Sequence, residues 1–459
     1  MRSSGDKSVH GYTIYLCVIA LIGLSLWLAQ KVNHVAPNPY MDEPFHVPQT
    51  QRYCSNNLEW DPKITTFPGL YVVAVAYAKL LQLSPVAIMD GDTCSSIPLL
   101  RSLNIFFAAG NLILLYKILS KLYPEENRSL LSLKALTLIA FPIHFFYIFL
   151  FYTDCGSTFF LLLAYLSLLN GRTNSAAVWG AVAISFRQTN IIWDAFFVAG
   201  QLLHRFSLET GETTSQPVTV KLFSFLTWAL RKSHLIVMKY WAHVLLAAFF
   251  VLFVIYNDGI VVGDRSAHAP VIHTSQLLYF IGFSTFFLSF DLRTVTPHTL
   301  KSPRGFITIV SCTLLCLYTI HRYSPAHPYL LADNRHYTFY LWKNVYARNF
   351  WTKYALLPAY ALSFYLLWNA LRKRQSALWC LFFFFFTAAT LVPALLLEFR
   401  YFLVPFFFIA LHMRDSIRGN ILGTMCQLAF YMMINGITFY LFFTKPFVWP
   451  NGETQRFMW

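Results

Sequence analysis

Charged residues are scarce in this 459-residue chain: they make up 12% of it, whereas hydrophobic residues make up 57%. Soluble globular domains carry roughly twice that share of charged residues, and a mean hydropathy of +0.50 excludes that class for this chain. Lipid offers no partner to free backbone N–H and C=O groups, so each membrane-crossing segment must be helical. The composition predicts an all-α polytopic membrane protein, which we treat as one integral membrane domain over residues 1–459.

Metal-binding patterns are also missing from the sequence. The eight cysteines form no CxxC pair and the histidines form no HExxH motif, so we expect neither a metal nor a cofactor. Asp90-Gly91-Asp92 has the spacing of a divalent-cation motif, but no further ligands lie near it and we interpret it as a solvated turn. Cys54 and Cys94 share one loop; a disulfide there needs an oxidising compartment, and we expect two free thiols instead.

Apolar segments are what the sequence has in abundance. A helix needs about 17 to 25 residues to cross a bilayer, and the number of such segments predicts about 12 to 14 transmembrane helices. Segment 67–83 follows Pro68-Gly69 and either spans the membrane or lies at its interface. The other predicted spans are 12–29, 98–120, 131–151, 155–170, 175–189, 191–206, 235–257, 275–291, 305–320, 354–371, 376–396, 399–413 and 420–443.

The net charge of +15, from 35 basic and 20 acidic residues, carries topological information. In a soluble protein it would suggest nucleic acid as a partner. Here the basic residues cluster in short loops between apolar segments, so we expect no nucleic acid. With the N-terminus in the cytosol, alternating spans place three basic loops on the cytosolic side, as the positive-inside rule favours. These loops lie near 121–134, 207–234 and 293–304.

The same alternation places the unusual polar segments together on the opposite side, which begins with the first non-cytosolic loop over 30–97. We therefore expect a binding cleft on the outer or lumenal side. Glu398–Tyr401 looks like a further element of it, but it reaches that side only if one later segment, most simply 337–350, is a partial or interfacial helix. The polar segments are 40–66, 152–154, 187–190, 258–274 and 321–338.

Asp42 and Glu43 are two adjacent carboxylates in a chain with few charges, which indicates chemistry or binding because such groups are costly in a membrane protein. Neighbouring side chains diverge, so the two cannot easily form the facing carboxylate pair of a glycosidase, but either can act alone as a general base. The alternative is an N-cap pair that opens a short interfacial helix over 43–54, with Pro44 in its first turn. Both roles can hold together.

Other polar residues on this side are candidates for binding hydroxyl groups or phosphate. Trp60 can stack on a sugar face, and Asp61 and Lys63 can bind hydroxyls or phosphate, although an ordinary turn before a helix explains them equally well. A guanidinium suits a phosphate; each arginine alone is better explained by snorkelling at the interface, but four on one face favour a phosphate site. These arginines are Arg187, Arg265, Arg335 and Arg400. The remaining candidates are His46, Gln49, Gln188, Asp264, His268, Asp333 and His336.

Several segments resemble, in the same order, the endoplasmic reticulum α-1,2-glucosyltransferases that extend the dolichol-linked oligosaccharide. They are YMDEPFHVPQTQRYC (40–54), WDPKITTFPGLY (60–71), SFRQTNIIW (185–193), VVGDRSAHAPVIHTSQLLYF (261–280), HPYLLADNRHYTFYLWK (327–343) and LEFRYFLVPF (397–406). The resemblance covers nearly the whole chain. Pro44 and the short loop between Cys54 and Trp60 depart from the family pattern, which leaves the shape of that loop open.

The resemblance implies a class C glycosyltransferase bundle in the endoplasmic reticulum membrane with a lumenal active site. It implies dolichyl phosphate glucose as donor, the diglucosylated lipid-linked oligosaccharide as acceptor, and a terminal α-1,2-glucose, used in N-glycosylation, as product. A β-linked donor and an α product mean inversion, with an acid of the first lumenal loop as base and no metal. We favour Asp42 over Glu43 for that role.

Two other functional classes remain open from the residues alone. A transporter or lipid flippase would show inverted repeats and charges at the membrane midplane, whereas this chain has no internal repeat and its charges collect at one face. A non-catalytic modulator of a membrane partner, such as a channel, is compatible with any such sequence. Binding of a partner that survives the loss of both carboxylates would favour that class.

Overall fold

The computed structural model describes residues 4–83, 94, 96–211, 217–265, 270–293, 303–413 and 421–459. Over these residues the protein is a bundle of helices, and the only strands are β1 (Phe447–Val448) and β2 (Thr454–Gln455), which pair antiparallel. The prediction of an all-α polytopic membrane protein is therefore confirmed. Each predicted span falls on a helix or on a pair of consecutive helices.

The first half of the described chain contains eleven α-helices that follow one another through short connections. They are α1 (Ser4–Val35), α2 (Glu43–Cys54), α3 (Gly69–Gln82), α4 (Ile97–Leu122), α5 (Arg128–Ile139), α6 (Pro142–Phe146), α7 (Thr153–Leu169), α8 (Thr173–Phe186), α9 (Asn190–Thr210), α10 (Val218–Arg231) and α11 (Ser233–Asn257). A 3₁₀ turn, Tyr147–Phe149, follows α6.

The second half of the described chain is more interrupted. Its α-helices are α12 (Ser275–Phe287), α13 (Ser289–Leu292), α14 (Pro303–Arg322), α15 (Pro328–Ala332), α16 (Tyr337–Leu341), α17 (Thr352–Ala355), α18 (Leu357–Arg372), α19 (Ala377–Leu391), α20 (Leu403–His412) and α21 (Ile421–Thr444). A π-helix, Trp342–Tyr346, follows α16, and a 3₁₀ turn, Phe399–Phe402, precedes α20.

Five helical segments in the described part of the chain are long and apolar enough to cross a membrane, and a sixth arises if a bent pair counts as one span. The five are Tyr12–Val35, Ile97–Leu122, Ser233–Asn257, Thr352–Arg372 and Ile421–Thr444. Gly69–Gln82, the segment whose position was left open, is one of several apolar helices of 10–17 residues. Such helices are too short to span alone unless tilted or paired with neighbours.

A bend at Pro142 brings the backbone of Phe151 to the first polar segment. The predicted span 131–151 is broken there: Arg128–Ile139 and Pro142–Phe149 meet at an angle of 68°. Proline lacks a backbone N–H and clashes with the preceding helical turn, so the helix starts afresh at this residue. The chain then runs extended through Tyr152, and the Phe151 N–H faces the first polar segment.

The helix predicted over 43–54 is present with those bounds, as α2. Asp42 stands at its N-cap position, but its side chain does not cap the helix. The segment 337–350 is a short helix followed by a π-turn, as the topology required, because two longer helices, α18 and α19, then return the chain to the side of Glu398.

The connection 207–234 contains helix, because α9 continues to Thr210 and α10 occupies Val218–Arg231; its cytosolic position stays a prediction. The expectation of two free thiols is wrong, because Cys54 and Cys94 form a disulfide. Their Cα atoms lie 6.3 Å apart because α2 ends beside the start of α4, a proximity that sequence spacing could not reveal. The bridge ties the end of the helix opened by Asp42 to the bundle.

Basic residues lie together at the end of the bundle where α4 ends, near Leu122. Arg374 donates to the Leu122 carbonyl at 2.5 Å and lies over the Tyr123 ring, so the 121–128 and 372–374 turns lie together. Lys134 is buried in an ion pair with Asp291, 2.6 Å away, which satisfies a charge that lipid would not. This end is separate from the polar segments described below.

Candidate active site

The backbone turns sharply immediately before the two carboxylates. Met41 has φ = 62°, in the left-handed region that residues other than glycine and asparagine rarely adopt. Such a conformation costs on the order of 1–3 kcal/mol and persists where the surrounding contacts enforce it. The turn is closed by Glu43 Oε2, which accepts from the Tyr40 N–H at 2.8 Å. As a result, Asp42 and Glu43 point to different parts of the protein.

Glu43 is completely buried, and both of its carboxylate oxygens accept hydrogen bonds from other groups of the protein. Arg101 donates to it from two nitrogens, Nε at 2.8 Å and Nη2 at 2.6 Å, and the Phe151 N–H donates at 2.6 Å. The remaining Arg101 donors reach Asn33 and the carbonyls of Ala36 and Asn38. A bidentate pair satisfied in this way holds together α1, α2 and α4.

Asp42 is different, because 35% of its side chain is exposed. Its Oδ2 accepts from Arg400 Nη1 at 3.0 Å, and among the described residues this is the only side chain that hydrogen-bonds the Asp42 carboxylate. Arg400 also pairs with Glu398 and lies over the Tyr152 ring, whose hydroxyl accepts from the Asp42 N–H at 3.0 Å. The accessible carboxylate therefore lies against one firmly held guanidinium.

Electrostatics keep Asp42 ionised. Burial opposes its ionisation, but the charge of Arg400, aided by His46 and His336, outweighs burial and lowers the pKa of Asp42 below its ordinary value. Burial also lowers the pKa of His46, although Asp42 acts in the opposite direction. His46 Nδ1 lies 2.8 Å from the Tyr71 hydroxyl, so this ring is held beside the carboxylate.

Arg187 and Asp154 form a second ion pair next to the first. Arg187 Nη1 lies 2.6 Å from Asp154 Oδ1, and its guanidinium faces the Tyr401 ring at 5.6 Å. Tyr401 follows Arg400 directly, so the two arginines are neighbours across that segment. Arg187 is 20% exposed, whereas Asp154 is buried. Gln188 uses its amide to donate to the Thr65 carbonyl, 2.8 Å away, and so ties the 187–190 segment to the first loop.

Asp333, Arg335 and His336 form a third charged cluster. Arg335 donates from Nε and Nη2 to the two oxygens of Asp333, at 2.8 and 2.6 Å. His336 Nε2 lies 3.5 Å from Asp333. Burial opposes ionisation of Asp333, but hydrogen bonds from Arg335 and His336 hold its pKa well below the ordinary value. This cluster is joined to the site through Trp459, whose backbone oxygen lies 2.6 Å from His336 Nδ1 and accepts from the Tyr147 hydroxyl at 3.1 Å.

The 60–66 segment is a turn held by hydrogen bonds between its own residues. Asp61 Oδ1 accepts from the Lys63 N–H at 2.9 Å, and the Trp60 indole donates to the Ile64 carbonyl at 3.3 Å. Gln49 holds this turn with both ends of its amide, to the Glu59 carbonyl and the Asp61 N–H. Lys63 lies over the Phe45 ring at 6.0 Å. The ordinary-turn alternative thus has direct structural support, and the turn borders the site.

Asp264 meets this turn through its backbone N–H, which donates to the Pro62 carbonyl at 2.6 Å. Gly263 precedes it with φ = 71°, and a Cβ there would meet the Pro62 carbonyl at 2.4 Å, so only glycine fits. Arg265 binds the carbonyls of Asn257 and Asp258 in its own loop, and no contact within the described chain joins it to Asp42. His268 and Asp90-Gly91-Asp92 lie outside the described residues.

An apolar cavity of about 520 Å³ adjoins the charged clusters. Phe399, which precedes Arg400, and Trp459, whose carbonyl accepts from His336, both line it. Its walls come from α12, α16, the π-helix, α18 and α21, and several of its residues, including Phe286 and Ile437, are exposed on the outer surface of the bundle. A charged site therefore lies directly beside an apolar space that opens outward.

Sequence reasoning missed two features of the site. Arg101 was hidden inside an apolar span; an arginine within such a helix is itself the signal that could have found it, because a charge there needs a partner. The segment after α21 was also missed, since it carries no hydrophobic periodicity. Over the described residues, no group of three or more His, Cys, Asp or Glu side chains could hold a metal ion.

The fold and the site together define a polytopic helical membrane protein that gathers an accessible carboxylate and several arginines at one end of the bundle, beside an apolar cavity. The chain belongs to the DIE2/ALG10 family, whose profile matches residues 36–411. This result confirms the family resemblance found in the sequence.

Full-length relatives have the same name in distant organisms. A protein of Mus musculus is 38% identical, over 98% of this chain and 99% of its own length. One from Homo sapiens is 37% identical with the same coverage, and one from Arabidopsis thaliana is 31% identical over 95% of this chain and 98% of its own. Each is named Dol-P-Glc:Glc(2)Man(9)GlcNAc(2)-PP-Dol alpha-1,2-glucosyltransferase.

Proposed function

We propose that this protein transfers glucose from dolichyl phosphate glucose to the diglucosylated dolichol-linked oligosaccharide, with inversion, to form the terminal α-1,2-linkage. The observation that carries the proposal is the contact between the accessible carboxylate of Asp42 and Arg400. The names of the full-length relatives supply the donor, the acceptor and the linkage. The site supplies one base and several cations, which suffice for transfer from a sugar phosphate.

Asp42 acts as the general base. The acceptor hydroxyl oxygen attacks C1 of the glucose while the C1–O bond to phosphate breaks, and the hydroxyl proton passes to Asp42. The bonding electrons leave with dolichyl phosphate. Glu43 is unsuited to this step, since it is fully buried and accepts hydrogen bonds from Arg101 and two backbone N–H groups.

Arginines stabilise the leaving group. The phosphate gains one negative charge as the C1–O bond breaks, so cations fixed in advance lower the barrier. Arg400, Arg187 and Arg335 are each oriented by a carboxylate, and Arg400 also contacts Asp42. Because phosphate is a good leaving group, the reaction needs no strong acid at this position.

The apolar cavity holds the polyprenyl chain of a substrate. Phe399 and Trp459 line the cavity beside the charged groups, so a lipid in it would keep its phosphate near Arg400 and His336. Fixing a large substrate in line contributes much of the rate of such a transfer. A transporter is less well supported, because the charged clusters lie at one end of the bundle.

The test is transfer of labelled glucose from dolichyl phosphate glucose to diglucosylated acceptor by purified full-length protein. Asp42→Asn should reduce kcat by about 10²- to 10⁴-fold, the usual contribution of a general base. Glu59→Gln, at an exposed acidic residue of the same loop, is the matched control and should leave kcat within about twofold. Full turnover by Asp42→Asn would refute the assignment of the base.

We also propose that the site faces the lumen of the endoplasmic reticulum. Lys63 is exposed in the first polar segment. The side chain of Lys232, at the basic end of the bundle, is 40% exposed. In sealed microsomes, an impermeant maleimide should label Lys232→Cys at once and Lys63→Cys only after permeabilisation, with the unsubstituted protein as background. Labelling of both in sealed vesicles would contradict this orientation.

A further inference from the structure

We propose that the C-terminal segment, Lys445–Trp459, is part of the active site and positions the side chains of Arg335 and His336 for the reaction. The inference rests on the proposed function and extends it to residues that lie beyond the part matched by the family profile. Gln455, Trp449 and Trp459 are its positioning residues.

The segment folds back from the end of α21 as a small hairpin. Phe447 pairs with Gln455 and Val448 with Thr454, and the turn between the strands is closed by the Gly452 N–H, which donates to the Trp449 carbonyl at 2.9 Å. Gly452 has φ = 84°, a conformation that favours glycine. The hairpin directs residues 455–459 into the bundle, where Met458 and Trp459 are buried.

The hairpin holds the Arg335 guanidinium from two sides. Gln455 Oε1 accepts from Arg335 Nη1 at 3.0 Å, and Glu453 accepts from the other end of the same amide at 3.2 Å, which fixes the amide orientation. The Trp449 ring lies 4.4 Å from the guanidinium carbon, a cation–π contact. Together with Asp333, these contacts leave Arg335 little freedom to rotate.

The end of the segment holds His336. The Trp459 backbone oxygen lies 2.6 Å from His336 Nδ1, and because this oxygen can only accept, the ring hydrogen of this contact is on Nδ1. The Met458 N–H donates to the Arg335 carbonyl at 2.8 Å, so the backbones of the two segments run side by side. The ring orientation at the site thus depends on a residue far along the chain.

The same segment also contacts the first loop and the bent helix. The Tyr40 hydroxyl donates to the Arg456 carbonyl at 2.7 Å and accepts from the Arg456 N–H at 2.9 Å. The Tyr147 hydroxyl donates to the Trp459 carbonyl at 3.1 Å. Tyr40 lies two residues before Asp42, so one short segment links the base, the third charged cluster and, through Trp459, the apolar cavity.

This arrangement predicts an effect on catalysis rather than on substrate affinity alone. The donor phosphate carries one more charge in the transition state than in the ground state, so a guanidinium held in advance contributes mainly to kcat. Releasing Arg335 should therefore reduce kcat by about 10- to 100-fold, the range expected for a misplaced catalytic group, and change KM for the donor less than threefold.

The experiment measures kcat, KM and thermal unfolding for full-length variants in the same transfer assay. Gln455→Leu keeps the size of the side chain but removes the acceptor, and should show the loss of kcat. Gln455→Glu combined with Glu453→Gln keeps an acceptor for Arg335 and exchanges the amide and the carboxylate of this pair, and should restore kcat to within about threefold of the wild type. Val448→Thr is the control, because Val448 is exposed on the other strand of the same hairpin.

Trp449→Leu and Trp449→Phe provide a second pair that leaves the Gln455–Arg335 hydrogen bond in place. Both remove the indole donor to Asn334 Oδ1, so the difference between them isolates the aromatic contact. The first should lower kcat and the second, which keeps an aromatic face, should retain most of it. If the wild type transfers glucose but Gln455→Leu and Trp449→Leu both match its kcat, the positioning role is refuted and the proposed function stands. Loss of kcat in proportion to lost thermal stability in all four variants would equally refute positioning. Absence of transfer by the wild type would refute the proposed function instead.

Discussion

Asp42 Oδ2 lies 3.0 Å from a guanidinium nitrogen of Arg400, although 358 positions separate the two residues in the chain. The contact selects between two adjacent carboxylates, because the neighbouring Glu43 is turned into the protein towards Arg101. An ionised, accessible carboxylate thus faces the site, while a fully hydrogen-bonded one fixes the backbone beneath it. The structure around these two carboxylates, the disulfide and the apolar cavity lead to four predictions.

Removing the charge of Arg400 should move the pH dependence of transfer. Burial alone raises the pKa of Asp42, and Arg400 is the main charge that lowers it. In the wild type, the acid limb due to Asp42 should lie below its ordinary pKa of about 3.9. In Arg400→Gln, burial still raises the pKa of Asp42 but the charge that lowers it is gone, so the acid limb should move to higher pH.

The measurement is kcat/KM against pH for the two enzymes. Arg265→Gln is the control, because Arg265 binds backbone carbonyls of its own loop, and its acid limb should not move. Stability should depend on pH in the same direction. The Asp42 ion pair stabilises the fold above the pKa that Asp42 has in the unfolded chain, and this stabilisation is lost as the pH falls through its pKa in the folded protein. An unchanged acid limb in Arg400→Gln would contradict this electrostatic role.

Glu43→Gln should reduce stability far more than Asp42→Asn. The first change leaves the buried Arg101 guanidinium without its counter-charge, which costs about 3–5 kcal/mol. The second removes an ion pair of a side chain that is 35% exposed and should cost below about 1 kcal/mol. Unfolding of the purified proteins in one detergent compares them. Equal losses for both variants would contradict the structural role of Glu43.

Breaking the disulfide should lower stability without removing the chemistry. Cys54 and Cys94 close a loop of 40 positions, and losing such a crosslink typically costs about 2–4 kcal/mol. Cys54→Ser should therefore unfold at lower temperature and keep measurable transfer below that temperature. Reductant should destabilise the wild type to the level of this variant. Cys426→Ser, at a free cysteine, is the control.

Narrowing the apolar cavity should affect substrates according to the length of their lipid. Ile437 lines the cavity and is partly exposed, so Ile437→Trp places a larger side chain at its opening. KM for dolichyl phosphate glucose should rise about tenfold, since each buried methylene contributes about 0.8 kcal/mol. A donor with a two-isoprene chain should be unaffected. Ile255→Trp, at an exposed position on α11, is the control; an equal rise for both donors would place the lipid elsewhere.

Periodicity and topology predicted most of the fold from the sequence. The apolar segments fall on helices, α2 has its predicted bounds, and the parity of spans required the interruption that the structure places at α16 and the π-helix. These features depend on local composition and on the number of apolar segments between polar ones, both of which can be read from the sequence. The bend at Pro142 was not predicted, although the proline was visible, because the apolar run continues through it.

The contacts of the site were less predictable. Gathering the polar segments on one side brought Asp42, Arg400, Arg187 and Arg335 into the same set, but partner choice depends on side-chain direction after packing. For that reason Gln49 and Gln188, proposed to bind substrate, donate to backbone carbonyls. The disulfide and the C-terminal segment were missed for the same reason, since proximity between distant residues leaves no local pattern.

The residues on either side of Met41, Tyr40 and Asp42, are held by Arg456 and Arg400, which the ribosome makes much later. During synthesis, the first loop is made long before Arg400, and the cation that pairs with Asp42 and the Arg456 backbone that holds Tyr40 arrive last. A growing chain therefore carries a bare carboxylate and no assembled pocket. Under the proposed mechanism, a polypeptide interrupted before these residues would lack both partners and should not transfer glucose.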